Sequence, residues 1–390
     1  MKKRFSDLNV QSIFFLSSLG LLTAVFFVIL LFPHVSQEFL VIGNKSFLHD
    51  FLEPVGWSCH WDDFYVQRPG PNYPPLACLM FALAGKMAEM LSGSSLNQLL
   101  DYNIYIITLY FIQIGLCILG LYGVIQREAK EIRFPGILVM LIFLSYPSIC
   151  YAIPVGNSIF FVVVLLCAAN LWKNSESPVY RELALIFIAA AAAFKIYPAI
   201  FAFFYWKEKR VKELLRLFIY GCMFFWLPFL FLGKAEGVKW FFLNLQTFQE
   251  AGASGSYTTI SGIVEKFVGG ENGFSQLVSV SYCLAALLFA YRTKVKWKEE
   301  FLVCSLMVIA FSGKNMYSLL YFVVPLLTFL NAPNRSCGKW DKWYALGFSL
   351  IFTILPAEHN TAYKYLLLYT MTAVLLVDIG IQNFKKQSAS

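Results

Sequence analysis

Charge is scarce in this sequence. Asp, Glu, Lys and Arg make up 14% of the chain, against 58% hydrophobic and 18% aromatic residues, over 390 positions. Soluble domains carry about 25% charged residues, so a soluble enzyme, a secreted scaffold and a disordered chain are excluded. Paired or metal-spaced cysteines are missing too: no CxxC or Cys/His spacing occurs among the nine Cys, most of which sit inside apolar runs as small hydrophobes. Cys59 stands alone in the first long loop, so no disulfide framework is implied there. No Walker A, HExxH or GxSxG motif appears, which leaves an ATP-driven pump and the common hydrolases without support. The alternating ten-residue segments of a β-barrel are absent as well.

What is present is a series of long apolar runs. Twelve read as spans, the shorter of them below the ~20 residues that a bilayer-spanning helix needs: 12–32, 74–91, 103–125, 135–153, 158–172, 182–206, 213–232, 275–291, 299–312, 316–330, 343–356 and 362–381. The expected fold is an all-α polytopic membrane protein, a single transmembrane domain over 1–390. The first run is too long for a signal-peptide core and has no small-residue cleavage site, so it reads as a retained helix. The net charge of +8 does not indicate nucleic-acid binding, because Lys and Arg cluster between the apolar runs.

Those clusters orient the chain. Lys2, Lys3 and Arg4 place the N-terminus in the cytoplasm; so do Lys207 to Lys212, Arg292 to Lys298, Arg335 to Lys342, and Lys385 with Lys386, if every run crosses the bilayer. Arg127, Lys130 and Arg133 then fall outside. An alternative keeps 126–134 inside by making 74–91 re-entrant and 182–206 a hairpin broken near Pro198. Simple alternation is the reading adopted here. It leaves two extracytoplasmic loops, 33–73 and 233–274, each about forty residues and longer than ordinary connections. They mark the working face.

The first loop holds Asp50, Glu53, Asp62, Asp63, His49, His60 and Arg68 among Phe51, Trp57, Trp61, Phe64, Tyr65 and Tyr73. A carboxylate can take a proton from a hydroxyl, and aromatic rings stack on sugars. Asp50-x-x-Glu53 also has capping-box spacing, so Asp50 can equally cap an interfacial helix. Asp62 and Asp63 read as solvated loop carboxylates. Two loop His residues do not make a metal site, which needs three or four ligands. Tyr73-Pro74-Pro75-Leu76 reads as a helix start, since Pro fits a first turn, and Gly156-Asn157 as a turn.

Lys195 is the most informative residue. It lies deep in the run 182–206, nearly alone among polar residues in the spans, where a Lys costs about 2.5–3.5 kcal/mol at the bilayer centre. In a straight helix it is too far from either end to snorkel, and Pro198 can open the helix beside it. An anionic ligand such as a lipid phosphate suits it. Lys86 reads as snorkelling and Asp378 as a solvated end charge. Lys314 and His359 lie in later loops, where ordinary loop polarity accounts for them equally well.

Several of these segments occur in an order that resembles the integral-membrane glycosyltransferases of the GT-C superfamily, most closely glycosyltransferase family 87. They are His49-Asp50-Phe51, Tyr73 to Leu76, Gly156-Asn157, Lys195-Ile196-Tyr197-Pro198, and the looser Ser312-Gly313 to Tyr317. The resemblance runs over about residues 10–330. In the last segment Asn315 and Tyr317 stand where family members often show His or Trp.

The resemblance implies a GT-C-like bundle of about twelve helices in the plasma (inner) membrane, with its active site on the extracytoplasmic side. It implies a polyprenyl-phosphate-linked sugar donor, mannose or another hexose, a glycan or glycolipid acceptor, and an inverting displacement. Asp50 matches the family's first-loop base, with Asp63 second. Lys195 is assigned to the donor phosphate, with Arg68 and Lys314 behind it. His49, Tyr73, Asn157, Tyr197, Tyr317 and His359 are assigned to substrate. No cofactor or metal is expected, because side-chain cations can stabilise a departing monophosphate. Two other classes stay open at this stage. An O-antigen-type polymerase is disfavoured by loops poor in Arg. A lipid-linked sugar transporter or flippase is disfavoured by the lack of repeats or of a polar path.

Overall fold

The computed structural model describes residues 9–32, 47–57, 64–66, 71, 73–94, 104–252, 259–268, 273–312, 316–332, 340–353 and 357–387. Among them every regular element is helical. A bilayer dictates this, because backbone N–H and C=O groups in hydrocarbon must pair within their own segment or in a closed barrel. In chain order the elements begin α1 (Val10–Leu31), α2 (His49–Trp57), α3 (Pro75–Ser92), α4 (Ile104–Glu128), α5 (Pro135–Phe143), α6 (Pro147–Val155, opening as a π-helix) and α7 (Ile159–Trp172). Next come α8 (Pro178–Phe194), a 3₁₀ turn over Tyr197–Phe201, α9 (Ala202–Lys207), α10 (Val211–Trp226), α11 (Lys234–Gly252), α12 (Ile260–Val268) and α13 (Gly273–Arg292). The chain ends with α14 (Lys296–Ser305, continuing as a π-helix over Leu306–Ser312), a 3₁₀ segment Met316–Phe322 into α15 (Val323–Leu330), α16 (Asp341–Phe352) and α17 (Ala357–Gln387).

Every expected span falls on one of these segments, but among the described residues only six are unbroken helices long and apolar enough to cross a membrane; the pair α5 and α6, bent by 47°, would make a seventh. The others are short or interrupted. The break in 182–206 has a local cause. Pro198 has no N–H to give to the Phe194 carbonyl; α8 stops at Phe194, and Lys195 is extended at φ −147°, ψ 124°.

The chain divides into two compact units, one of residues 1–43, 122–151 and 255–390, the other of 44–121 and 152–254. In the first, α1 runs along α16, where the hydroxyls of Ser17 and Ser18 lie 2.6 and 3.1 Å from that of Ser349, small residues letting the backbones approach. Gln11 Nε2 donates to the carbonyls of Glu131 (2.6 Å) and Leu330 (2.9 Å), and Asn331 Oδ1 accepts from the Glu131 amide. Lys364 is fully buried, its ammonium donating to the carbonyls of Leu350, Ile351 and Thr353. It thus satisfies the orphan carbonyls at the end of α16. Lys195 is therefore not nearly alone among polar residues in the spans. Asp378 is not a solvated end charge either: it pairs with the buried Lys298 and accepts from Gln382. Lys86 is exposed and pairs with Glu89 at 2.6 Å.

In the second unit, polar contacts collect at the two ends of α7. At one end the Leu48 amide donates to the Pro154 carbonyl (2.7 Å), Asp50 meets Asn157, and Asn244 of α11 donates to the Tyr65 carbonyl (2.9 Å). At the other end Lys173 pairs with Glu208, while Arg210 donates to the Lys173 carbonyl and to Asn174, each at 3.1 Å.

These contacts overturn simple alternation. That scheme puts 33–73 opposite 154–157, 173–181 opposite 207–212, and the N-terminus opposite 126–134. Each pair is in direct contact. The alternative fits all three. The break at Lys195 turns 178–207 into a hairpin with both ends beside Lys173. If 74–91 and 182–206 both return to their own face, the bilayer is crossed two times fewer than the sequence count, and Arg127, Lys130 and Arg133 join the N-terminal side, where the positive-inside pattern wants them. Protease-cleavable tags at Lys130 and Asn174 should be cut from the same side as a tag at the N-terminus, and a tag at Lys234 from the other. Cleavage at Lys130 together with Lys234 would restore simple alternation.

Candidate functional site

The second unit gathers six of the expected site residues. α2 begins at His49, one residue after Leu48, whose carbonyl accepts from the amides of Phe51 (2.9 Å) and Leu52 (2.8 Å). Leu48 is therefore the cap, and Asp50 lies inside the first turn. The capping-box reading fails on register, and Glu53 turns instead to His49 Nε2 at 3.3 Å. Leu48 holds φ +56°, a left-handed conformation costing a non-glycine about 1–2 kcal/mol. Its hydrogen bond to Pro154 offsets that cost.

Asp50 is 6% exposed and accepts from Asn157 Nδ2 at 2.8 Å. Asn157 is itself buried, its Oδ1 accepting from the Ile159 amide at 3.1 Å at the start of α7. The segment before it is anchored twice more. Tyr110 of α4 donates to the carbonyls of Ala152 (3.3 Å) and Ile153 (3.1 Å), and Gly156 sits against α2.

Gly156 has two reasons to be glycine. Its φ is +81°, and a Cβ there would stand 2.8 Å from Phe51 Cβ and 3.1 Å from the Leu48 Cα. Gly156-Asn157 is thus a turn, as its composition suggests, and also the floor under Asp50. Gly156→Ala should lower stability by about 1–3 kcal/mol through strain and overpacking and displace Asp50. A lowered melting temperature with reduced turnover is the expected readout, and wild-type values for both would sever the link.

The second half of the site starts at Tyr73. Pro74 and Pro75 open α3, where their missing N–H groups have no role. The Tyr73 carbonyl accepts from the Tyr65 hydroxyl at 3.1 Å. Tyr65 is fully buried with Phe64, Cys78, Phe229, Leu232 and Phe241. Burial pushes its phenol well above the usual value, so it remains a neutral donor. Asn244 bonds the Tyr65 carbonyl and, at 3.5 Å, that of Pro71, so α11 of the second long loop holds the first loop in place. The Tyr73 ring then lies 5.4 Å from Lys195 Nζ, within cation–π range.

A file of rings joins the two halves. Tyr73 meets Phe81 at 5.4 Å, Phe81 meets Phe51 at 5.7 Å, and Phe51 follows Asp50 in sequence. Lys195 is half-buried at the tip of the hairpin, about 25 Å along α8 from the Lys173 end. Tyr197 follows it in the 3₁₀ turn, also half-buried.

Tyr317 is buried in the other unit. Asp63, Arg68 and Lys314, with the side chain of His359, lie outside the described residues. Sequence reasoning missed Tyr110, Asn244 and Lys364. A Tyr or Lys in an apolar span usually has a polar partner, which was the available signal for two of them; Asn244, in an ordinary polar stretch of a loop, offered none.

An all-helical chain with membrane-length helices, and with a buried carboxylate and a lysine gathered under two joined loops, is a polytopic membrane protein with a built polar site. The model of glycosyltransferase family 87 matches residues 72–316, and the chain belongs to that family. It is a membrane glycosyltransferase, which selects transferase over the polymerase and transporter readings. No curated protein matches the chain. The matched stretch contains Tyr73, Asn157, Lys195 and Tyr197; Asp50 precedes it and is tied to it through Asn157.

Proposed function

We propose that this enzyme transfers a hexose from a polyprenyl-phosphate donor to a hydroxyl of a glycan or glycolipid, with inversion, at the extracytoplasmic face of the plasma membrane. The acceptor oxygen bonds to the anomeric carbon as the bond from that carbon to the phosphate oxygen breaks. Asp50 takes the hydroxyl proton, and polyprenyl phosphate leaves against the Lys195 ammonium. Loops 33–73 and 233–274 form the catalytic face, with Asp63 as the second candidate base, Arg68 and Lys314 as further phosphate ligands, and His49, Tyr73, Tyr197, Tyr317 and His359 as substrate contacts.

The observation that carries this reading is the pairing of a buried carboxylate with a lysine across one file of aromatic rings. A base and a cation for the leaving group are what this displacement needs. The orientation follows from charge: Lys173, Lys207, Lys209, Arg210 and Lys212 stand at the end of the unit away from Asp50.

The test is turnover by purified protein in liposomes with polyprenyl-phosphate-mannose, polyprenyl-phosphate-glucose and the matching nucleotide sugars, with lipid and glycan extracts as acceptors. Transfer from a lipid-linked donor, with product of inverted configuration by NMR, supports the reading. Transfer from nucleotide sugars alone, or with retention, overturns it.

A further inference from the structure

Asn157 looks from its sequence like a substrate contact or a plain turn residue. Its geometry suggests something else. An Asn side chain has one accepting and one donating end, and which is which must be read from its partners. Here the Ile159 amide can only donate, so the atom facing it at 3.1 Å is the accepting oxygen. The amino group therefore faces Asp50 Oδ2, 2.8 Å away, as donor. The backbone fixes the same orientation, since the Asn157 amide donates to Ala152 at 2.9 Å and Gly156 packs against Leu48 and Phe51. Nothing in this arrangement lets the side chain turn over.

We propose that Asn157 is a positioning residue for the general base: its side-chain N–H holds one oxygen of the Asp50 carboxylate and so sets the orientation in which Asp50 takes the acceptor hydroxyl proton. This rests on the reading of Asp50 as base. A neutral donor suits the task. A Lys or Arg in its place would neutralise the carboxylate and weaken it as a base. An amide keeps the charge and fixes the rotamer. Among the ionisable groups near Asp50, Tyr110 interacts with it electrostatically. His49 and Glu53 on the same helix pair with each other, Tyr110 of α4 donates to backbone carbonyls, and Lys195 lies beyond three rings.

The discriminating variant is Asn157→Asp. It is nearly isosteric and keeps an oxygen for the Ile159 amide, but it replaces the donor with a second carboxylate beside Asp50. Two carboxylates that close share a proton. The infrared carboxyl band that Asp50→Asn abolishes should then titrate at a pH higher by about one unit or more than in wild type. The acid limb of kcat/KM should rise with it, and the melting temperature should change little. If Asn157→Asp does not fold, Asn157→Gln and Asn157→Leu decide: Gln keeps a donor and should retain the wild-type titration, whereas Leu should raise it. A band that titrates as in wild type in Asn157→Asp, or equally in Gln and Leu, overturns the proposal. The base reading fails separately: a displaced band in Asn157→Asp, with Asp50→Asn still turning over, would leave Asn157 holding a carboxylate that is not the base.

Discussion

Asp50→Asn should lose about 10²–10⁴-fold in kcat, the usual contribution of a positioned general base, with the KM for the lipid-linked donor nearly unchanged. Asn is the informative replacement because of what surrounds the residue. Its amide oxygen can still accept from Asn157, so the contact between α2 and the Gly156 floor survives while the proton acceptor is lost. Asp50→Ala confounds the two, because it leaves the buried Asn157 amide without its carboxylate partner, at a cost of about 1–3 kcal/mol. Asp50→Glu should also fall well below wild type, since a base displaced by about 1 Å can lose 10²-fold. Single-turnover rates and thermal melts on the same preparations separate chemistry from folding. Full activity in Asp50→Asn would return Asp50 to a structural partner of Asn157 and pass the base role to Asp63.

The membrane class and the helical segments were legible because hydropathy reports what a bilayer will accept. Crossing was not, because a helix that returns to its own face is as apolar as one that spans. Local charge was the better guide. Arg127, Lys130 and Arg133 pointed to the N-terminal side, where Gln11 contacts Glu131 and Arg133, and the simple alternation overrode them. Asp50 and Lys195 were legible since an ionisable group among apolar neighbours is costly without a purpose. The partner of Asp50 was not: Asn157 lies 107 residues away, and Asn244 lies 179 residues from the carbonyl it holds. The cap reading of Asp50 failed by a small shift of register, because Leu48 takes up a left-handed turn that propensity assigns to glycine or asparagine.

Lys195→Ala is the second large effect expected, and it should appear in binding. A charge-assisted hydrogen bond to phosphate contributes about 1.5–3 kcal/mol, so the donor KM should rise about 10- to 150-fold. Lys195→Arg should recover part of the loss, because the charge is kept while the point ammonium becomes a broad fork. The change should not greatly destabilise the fold. Lys195 is already outside the helix, extended beyond the last turn of α8, and its contact with the Tyr73 ring accounts for about 0.5–2 kcal/mol. That contact supplies the control. Tyr73→Phe keeps a ring for the ammonium and should leave the KM close to wild type; Tyr73→Leu removes it, frees the lysine's position and should raise the KM without approaching the effect of Lys195→Ala. Michaelis constants in liposomes, with a short-chain polyprenyl-phosphate-mannose as donor, measure all four variants. An unchanged KM in Lys195→Ala with a lowered melting temperature would make Lys195 a brace for the first loop, and the phosphate would then fall to Arg68 or Lys314.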